Sequence, residues 1–99
     1  MLHTINKSPF GHTTLEVCLK HAKRGSAVLL IEDGVYAATR GTAVSQWLQD
    51  AFARVSIYAL KPDVEARGMQ DRLMDGIKLV DYGGFVDLVV EHSAVQSWL

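Results

Sequence analysis

The chain has 99 residues, 48% hydrophobic and 21% charged, with a formal net charge of -1 and a pI near 6.4. That length supports one small domain, residues 1–99, and is too short for two. A near-neutral chain without a basic tail or stripe argues against direct nucleic-acid binding and against attachment to an anionic membrane.

Met1 to Asn6 (MLHTIN) reads as a first short strand, and KSPFGHTT, with Pro9 and Gly11, as a loop. Thr13 or Thr14 is suited to cap a helix. From Leu15 to Arg24 the apolar positions Leu15, Cys18, Leu19 and Ala22 recur at i, i+3, i+4 and i+7, which is one helical stripe. Gly25 follows a basic last turn, as a helix C-terminus prefers. SAVLLIE is a continuous apolar run, typical of a strand covered on both faces. DGVYAATRGT predicts a turn with a short helix that stops near Gly41.

AVSQWLQDAFA predicts a helix with Val44, Trp47, Leu48 and Ala51 on one side. RVSIYAL is then a second buried strand, KPDVEARGM a loop with a helical turn, and GIKLV another strand. DYGGFVDLVVEH predicts a helix with Asp81 at its N-cap, and SAVQSWL a terminal strand. Alternating helices and short apolar strands imply a single small three-layer α/β domain with a mostly parallel sheet.

The usual short signatures are missing. There is no glycine-rich phosphate cradle, no nucleophile elbow and no H-E-x-x-H. His3, His12, His21 and His92 lack metal-ligand spacing, so neither a cofactor nor a metal is expected. The start lacks a signal-peptide layout, and the longest apolar run, AVLLI, is about a quarter of the roughly 20 residues that span a bilayer. A cytoplasmic protein is expected, where one free thiol persists.

Three groups of residues are candidates for function. Glu32 and Asp33 close the central strand, where paired carboxylates could do acid/base work, but Asp33 as a cap with Gly34 making the turn is the favoured reading. The large amphipathic rings of Trp47, Tyr58 and Trp98 suit a core or a subunit contact, and Trp98, one residue from the last, is expected at an interface.

Cys18 is the candidate catalytic residue. In its helical stripe it reads as core, since free cysteine is among the most buried residue types. Beside Lys20, His21, Lys23 and Arg24 it reads as a thiol whose pKa is lowered towards neutrality. One accessible thiolate without a resolving cysteine would suit sulfur relay better than dithiol redox chemistry. Both readings remain open from the residues alone.

The stretches LHTINKSPF, LLIEDGVYAA, YALKPDVEARG, LVDYGGFVDL and VQSWL occur in order across essentially the whole chain, and together they resemble the DsrH/TusB family. The resemblance implies a DsrE/F/H-like fold. It also implies a subunit of a DsrEFH- or TusBCD-type heterohexamer, with DsrE/TusD-like and DsrF/TusC-like homologous partners and a DsrC/TusE-like sulfur acceptor. Such complexes relay persulfide sulfur, either in intracellular sulfur oxidation or towards 2-thiouridine at the tRNA wobble position. The main sulfur-carrying cysteine of the family lies in the DsrE/TusD-type subunit. Cys18 matches a first-helix cysteine of DsrH-type members that TusB-type members can lack. The resemblance therefore implies a secondary persulfide site at Cys18 or a purely structural subunit. A separate small-ligand-binding α/β domain is the rival reading.

Overall fold

The computed structural model describes residues 1–99. Five strands, β1 (Leu2–Ile5), β2 (Ala27–Leu30), β3 (Ser56–Leu60), β4 (Lys78–Val80) and β5 (Val95–Trp98), form one sheet in the order β4-β3-β2-β1-β5. Every pairing is parallel, with Leu2 opposite Ala27 and Val95, and Ala27 opposite Ser56. Four α-helices connect them: α1 (Thr14–His21), α2 (Ser45–Ala51), α3 (Lys61–Ala66) and α4 (Tyr82–Glu91). A 3₁₀ segment, Glu32–Ala38, precedes α2, and a shorter one covers Gln70–Arg72.

The strand order explains the layering. Passing from β1 through β2 and β3 to β4, the chain moves steadily in one direction, so right-handed crossovers place their helices on one face. The last crossover, from β4 back to β5 beyond β1, runs in the opposite direction and puts α4 on the other face.

Alternation along the strands agrees with this arrangement. Ile5, Val28, Leu30, Ile57 and Ala59 join Leu15, Cys18, Leu48 and Val64 in the main core of 19 buried residues. Leu2, Ala27 and Leu29 point the other way, onto Leu88 of α4. One face is therefore covered by three helices and a 3₁₀ segment, and the other by a single helix. Gly84 permits close packing there: a Cβ at this position would lie 3.0 Å from the Val80 side chain.

Several boundaries differ from the sequence expectation. Helix α1 ends at His21 rather than Arg24, and Ala22 is already extended. Arg54 takes up the end of that helix, donating to the Ala22 carbonyl at 2.7 Å and to the Leu19 carbonyl. Gly25 does adopt the left-handed conformation (φ 88°), but within a separate turn. KPDVEARGM forms a helix over Lys61–Ala66 with Pro62 in its first turn, which suits a proline because no donor is lost there. Asp81 caps α4 as expected, its Oδ1 accepting from the Gly84 N–H at 2.7 Å. Thr13 occupies the N-cap position of α1 without a side-chain capping bond. No helix is long and apolar enough to cross a membrane.

Candidate functional site

Cys18 sits in the middle of α1 on its inward stripe, between Leu15 and Leu19, and its relative exposure is 0%. The cations that suggested an activated thiol are all exposed, Lys20 and His21 on the outer side of α1, Lys23 and Arg24 beyond its end. Lys20 is engaged with Glu16 at 3.4 Å, and His21 and Lys23 line a different cavity with Met1, His3, Gln96 and Trp98. Burial pushes the Cys18 thiol up to about 12, and the Arg54 guanidinium offsets only part of that. The expected net lowering therefore does not occur, because burial outweighs the one charge that acts on the sulfur, Arg54, while Lys20, His21, Lys23 and Arg24 stay in solvent. Of the four surface cavities, none includes Cys18 among its lining residues.

On the carboxyl edge of the sheet, where parallel α/β proteins usually bind ligands, the chain packs on itself after β2, while the loop after β1, Pro9 to Thr14, lines an open cavity of about 550 Å³. Asp33 does not cap the 3₁₀ segment. Its Oδ1 instead accepts from Arg67 Nη2 at 3.0 Å and Nε at 3.1 Å. The backbone N–H of Glu32 donates to Asp63 Oδ2 at 2.7 Å, which places α3 over the end of β2. Glu32 has φ 50°, an uncommon value for a residue with a side chain, and this lets the chain turn sharply after Ile31. Gly34 follows, packed so closely on β1 that a Cβ would lie 2.1 Å from the Ile5 carbonyl oxygen. The Asp33 carboxylate and the Glu32 main chain are thus part of a structural corner, the Glu32 side chain is exposed, and neither residue lines a cavity. Asn6, just after β1, keeps a buried Oδ1 without a hydrogen-bond partner.

The aromatic residues divide in their roles. Trp98 packs against the main core and donates from Nε1 to His3 Nδ1 at 3.0 Å, with ring centroids 6.1 Å apart. The expected interface ring is therefore half-buried within its own domain, because β5 lies beside β1 and brings Trp98 over His3. Accepting from Trp98 fixes His3 as the Nε2–H tautomer, and burial holds its pKa below the usual histidine range. This pair escapes sequence reading, since 95 residues separate its members. Tyr58 lies under the Lys78 ammonium at 5.6 Å. Trp47 stays 39% exposed and lines a cleft of about 210 Å³ with Glu16, Lys20, Asp50 and Arg54. No group of three or more His, Cys, Asp or Glu side chains is arranged to hold a metal.

Fold and site together define a small parallel α/β domain with a buried thiol and a corner after β2 tied down by Asp33, Asp63 and Arg67. The same architecture occurs in the ychN protein from E. coli (TM-score 0.82, 18% identity, covering 97% of each chain). It also occurs in protein MTH1491 from Methanobacterium thermoautotrophicum (TM-score 0.79, 18% identity, covering 97% of this chain and 96% of that one). The DsrH-like protein family matches residues 7–95. Protein TusB of Pectobacterium parmentieri is 40% identical over 98 residues, covering 99% of this chain and 100% of that protein. Protein TusB of Escherichia coli O81 (strain ED1a) is 38% identical over the same span. The chain belongs to the DsrH/TusB family.

Proposed function

We propose that this chain is a supporting subunit of a cytoplasmic sulfur-relay complex, in which a homologous DsrE/TusD-like partner carries the persulfide. A DsrF/TusC-like subunit would complete the heterohexamer, and a DsrC/TusE-like protein would take the sulfur onward. Membership of the DsrH/TusB family supports the relay setting. The observation that carries the supporting role is the burial of Cys18.

To accept sulfur, a thiolate must attack the outer sulfur of a donor persulfide. The new S–S bond forms as the old one breaks, and the donor leaves as its own thiolate. That step needs an ionised, accessible Sγ. Here the sulfur is fully enclosed and held as a neutral thiol. Cys18 is accordingly a core residue of α1, packed among Leu15, Leu19 and the sheet.

Of the two relay pathways, thiolation of the tRNA wobble uridine is favoured. Cys18 leans towards the DsrH type, but relatives along the whole length carry the name TusB. The test is intact-mass spectrometry of the assembled complex after exposure to a persulfide donor, with wild type and Cys18→Ser compared. The expected result is a reducible gain of one sulfur on the partner subunit and none on this chain. A reducible sulfur adduct on wild type that disappears in Cys18→Ser would overturn the supporting role and make Cys18 a relay site.

A further inference from the structure

Helix α4 carries two apolar stripes, and the fold buries only one. Phe85 and Leu88 face the sheet with Leu2, Ala27 and Leu29. Tyr82, Val86, Val89 and Val90, at i, i+4, i+7 and i+8, form a second stripe that the chain leaves in solvent. Their relative exposures are 62%, 60%, 41% and 79%. Val95 of β5, on the same face of the sheet as Leu2, adds a half-exposed apolar side chain. Exposed apolar residues scattered singly are ordinary, whereas a continuous helical stripe of them marks a contact surface.

The charge beside this stripe selects the partner. Asp81, Asp87 and Glu91 are the only formally charged side chains between Leu79 and Leu99, a segment with no Lys or Arg. All ten Lys and Arg residues lie before it, against eight of the eleven acidic residues. Asp87 and Glu91, one turn apart, are both exposed along one flank of the stripe. A second copy docked α4 against α4 by a two-fold axis would bring these carboxylates together, which opposes self-pairing.

Resting on the relay reading above, we propose that the outer face of α4, Tyr82, Val86, Val89 and Val90 with the Asp87–Glu91 flank, docks a non-identical homologous subunit. That subunit would present an apolar strip bordered by Lys or Arg. The apolar stripe supplies the desolvated centre of the contact and the carboxylates its rim, which governs association rate and partner choice.

The test co-expresses the full chain with its homologous relay subunits and measures assembly by native mass spectrometry and binding by titration at two salt concentrations. The variants are Val86→Glu with Val90→Glu, the milder Val86→Ser with Val90→Ser, and Asp87→Lys with Glu91→Lys. All alter exposed side chains, so circular dichroism and thermal melting are expected to stay near wild type. If the glutamate pair disturbs folding, the serine pair decides.

The expected result is at least a tenfold loss of partner affinity in each apolar pair. The lysine pair should also bind more weakly, and wild-type binding should weaken as salt rises. If wild type assembles and the apolar variants bind within twofold of it, this surface assignment fails while the relay reading stands. If the isolated chain dimerises and Val86→Glu with Val90→Glu makes it monomeric, the partner is a second copy and the assignment is overturned. If wild type binds no homologous subunit, the relay reading falls and this inference with it.

Discussion

The burial of Cys18 makes a quantitative prediction about its reactivity. A thiol held near 12 is ionised to about one part in ten thousand at pH 8, whereas one at its ordinary value near 9 is ionised to about one part in ten. Ionisation alone should therefore slow alkylation about a thousandfold in the folded chain relative to the unfolded one. Enclosure acts in the same direction, because the sulfur has no exposed surface and reagent must await an opening of α1. The assay is modification by iodoacetamide at pH 8, followed by mass spectrometry, in native buffer and in guanidinium chloride. Native-state modification within tenfold of the denatured rate would refute the burial argument and with it the supporting role of this residue.

The raised pKa also has a sign in stability. The neutral thiol is favoured by folding, so its contribution is full below the unfolded value near 9 and is lost as pH rises towards about 12. Wild type should lose stability between pH 9 and 11 more steeply than Cys18→Ala, as measured by urea denaturation at each pH. Cys18→Ser should be the less stable variant at neutral pH, by about 1 kcal/mol, because it moves a hydroxyl from water into the core, where only the main-chain carbonyl one turn earlier is placed to accept from it.

Three other substitutions test the corners of the fold. Gly34→Ala would force a Cβ against the Ile5 carbonyl oxygen, and the main chain must shift to admit it. A loss above about 3 kcal/mol is expected by denaturant titration, and a loss below about 1 kcal/mol would show that the corner is looser than described. Arg54→Ala removes both donors from the end of α1 and should cost about 2 kcal/mol, with Arg54→Lys restoring only part. Trp98→Phe removes the donor to His3 and should cost about 1 kcal/mol in thermal or urea unfolding.

The His3–Trp98 pair should also shape the acid limb of stability. Because burial lowers the folded pKa of His3, its contribution is present above the ordinary value of 6.5 and is lost as pH falls through the depressed one. Replacing His3 with Gln should flatten the fall in stability below about pH 6.5. An unchanged slope would show that His3 titrates freely in the folded chain.

Local pattern carried much of the fold. The 3.6-residue stripe of Leu15, Cys18, Leu19 and Ala22, the continuous apolar run SAVLLIE, and Asp81 ahead of two glycines each depend on near neighbours, so each was legible in the sequence. Five matching stretches likewise carried the family. Tertiary structure alone decided the rest, because it turns on contacts between distant residues. Arg54 ends α1 early from 32 residues away, Arg67 takes Asp33 from capping, and Trp98 reaches back to His3. The order β4-β3-β2-β1-β5 leaves one sheet face under a single helix, so the same apolar α4 has both a buried stripe and an open one. The cations near Cys18 were equally visible in sequence. Only the orientation of α1 on the sheet, and its early end at His21, fixed that they face water while the thiol faces the core.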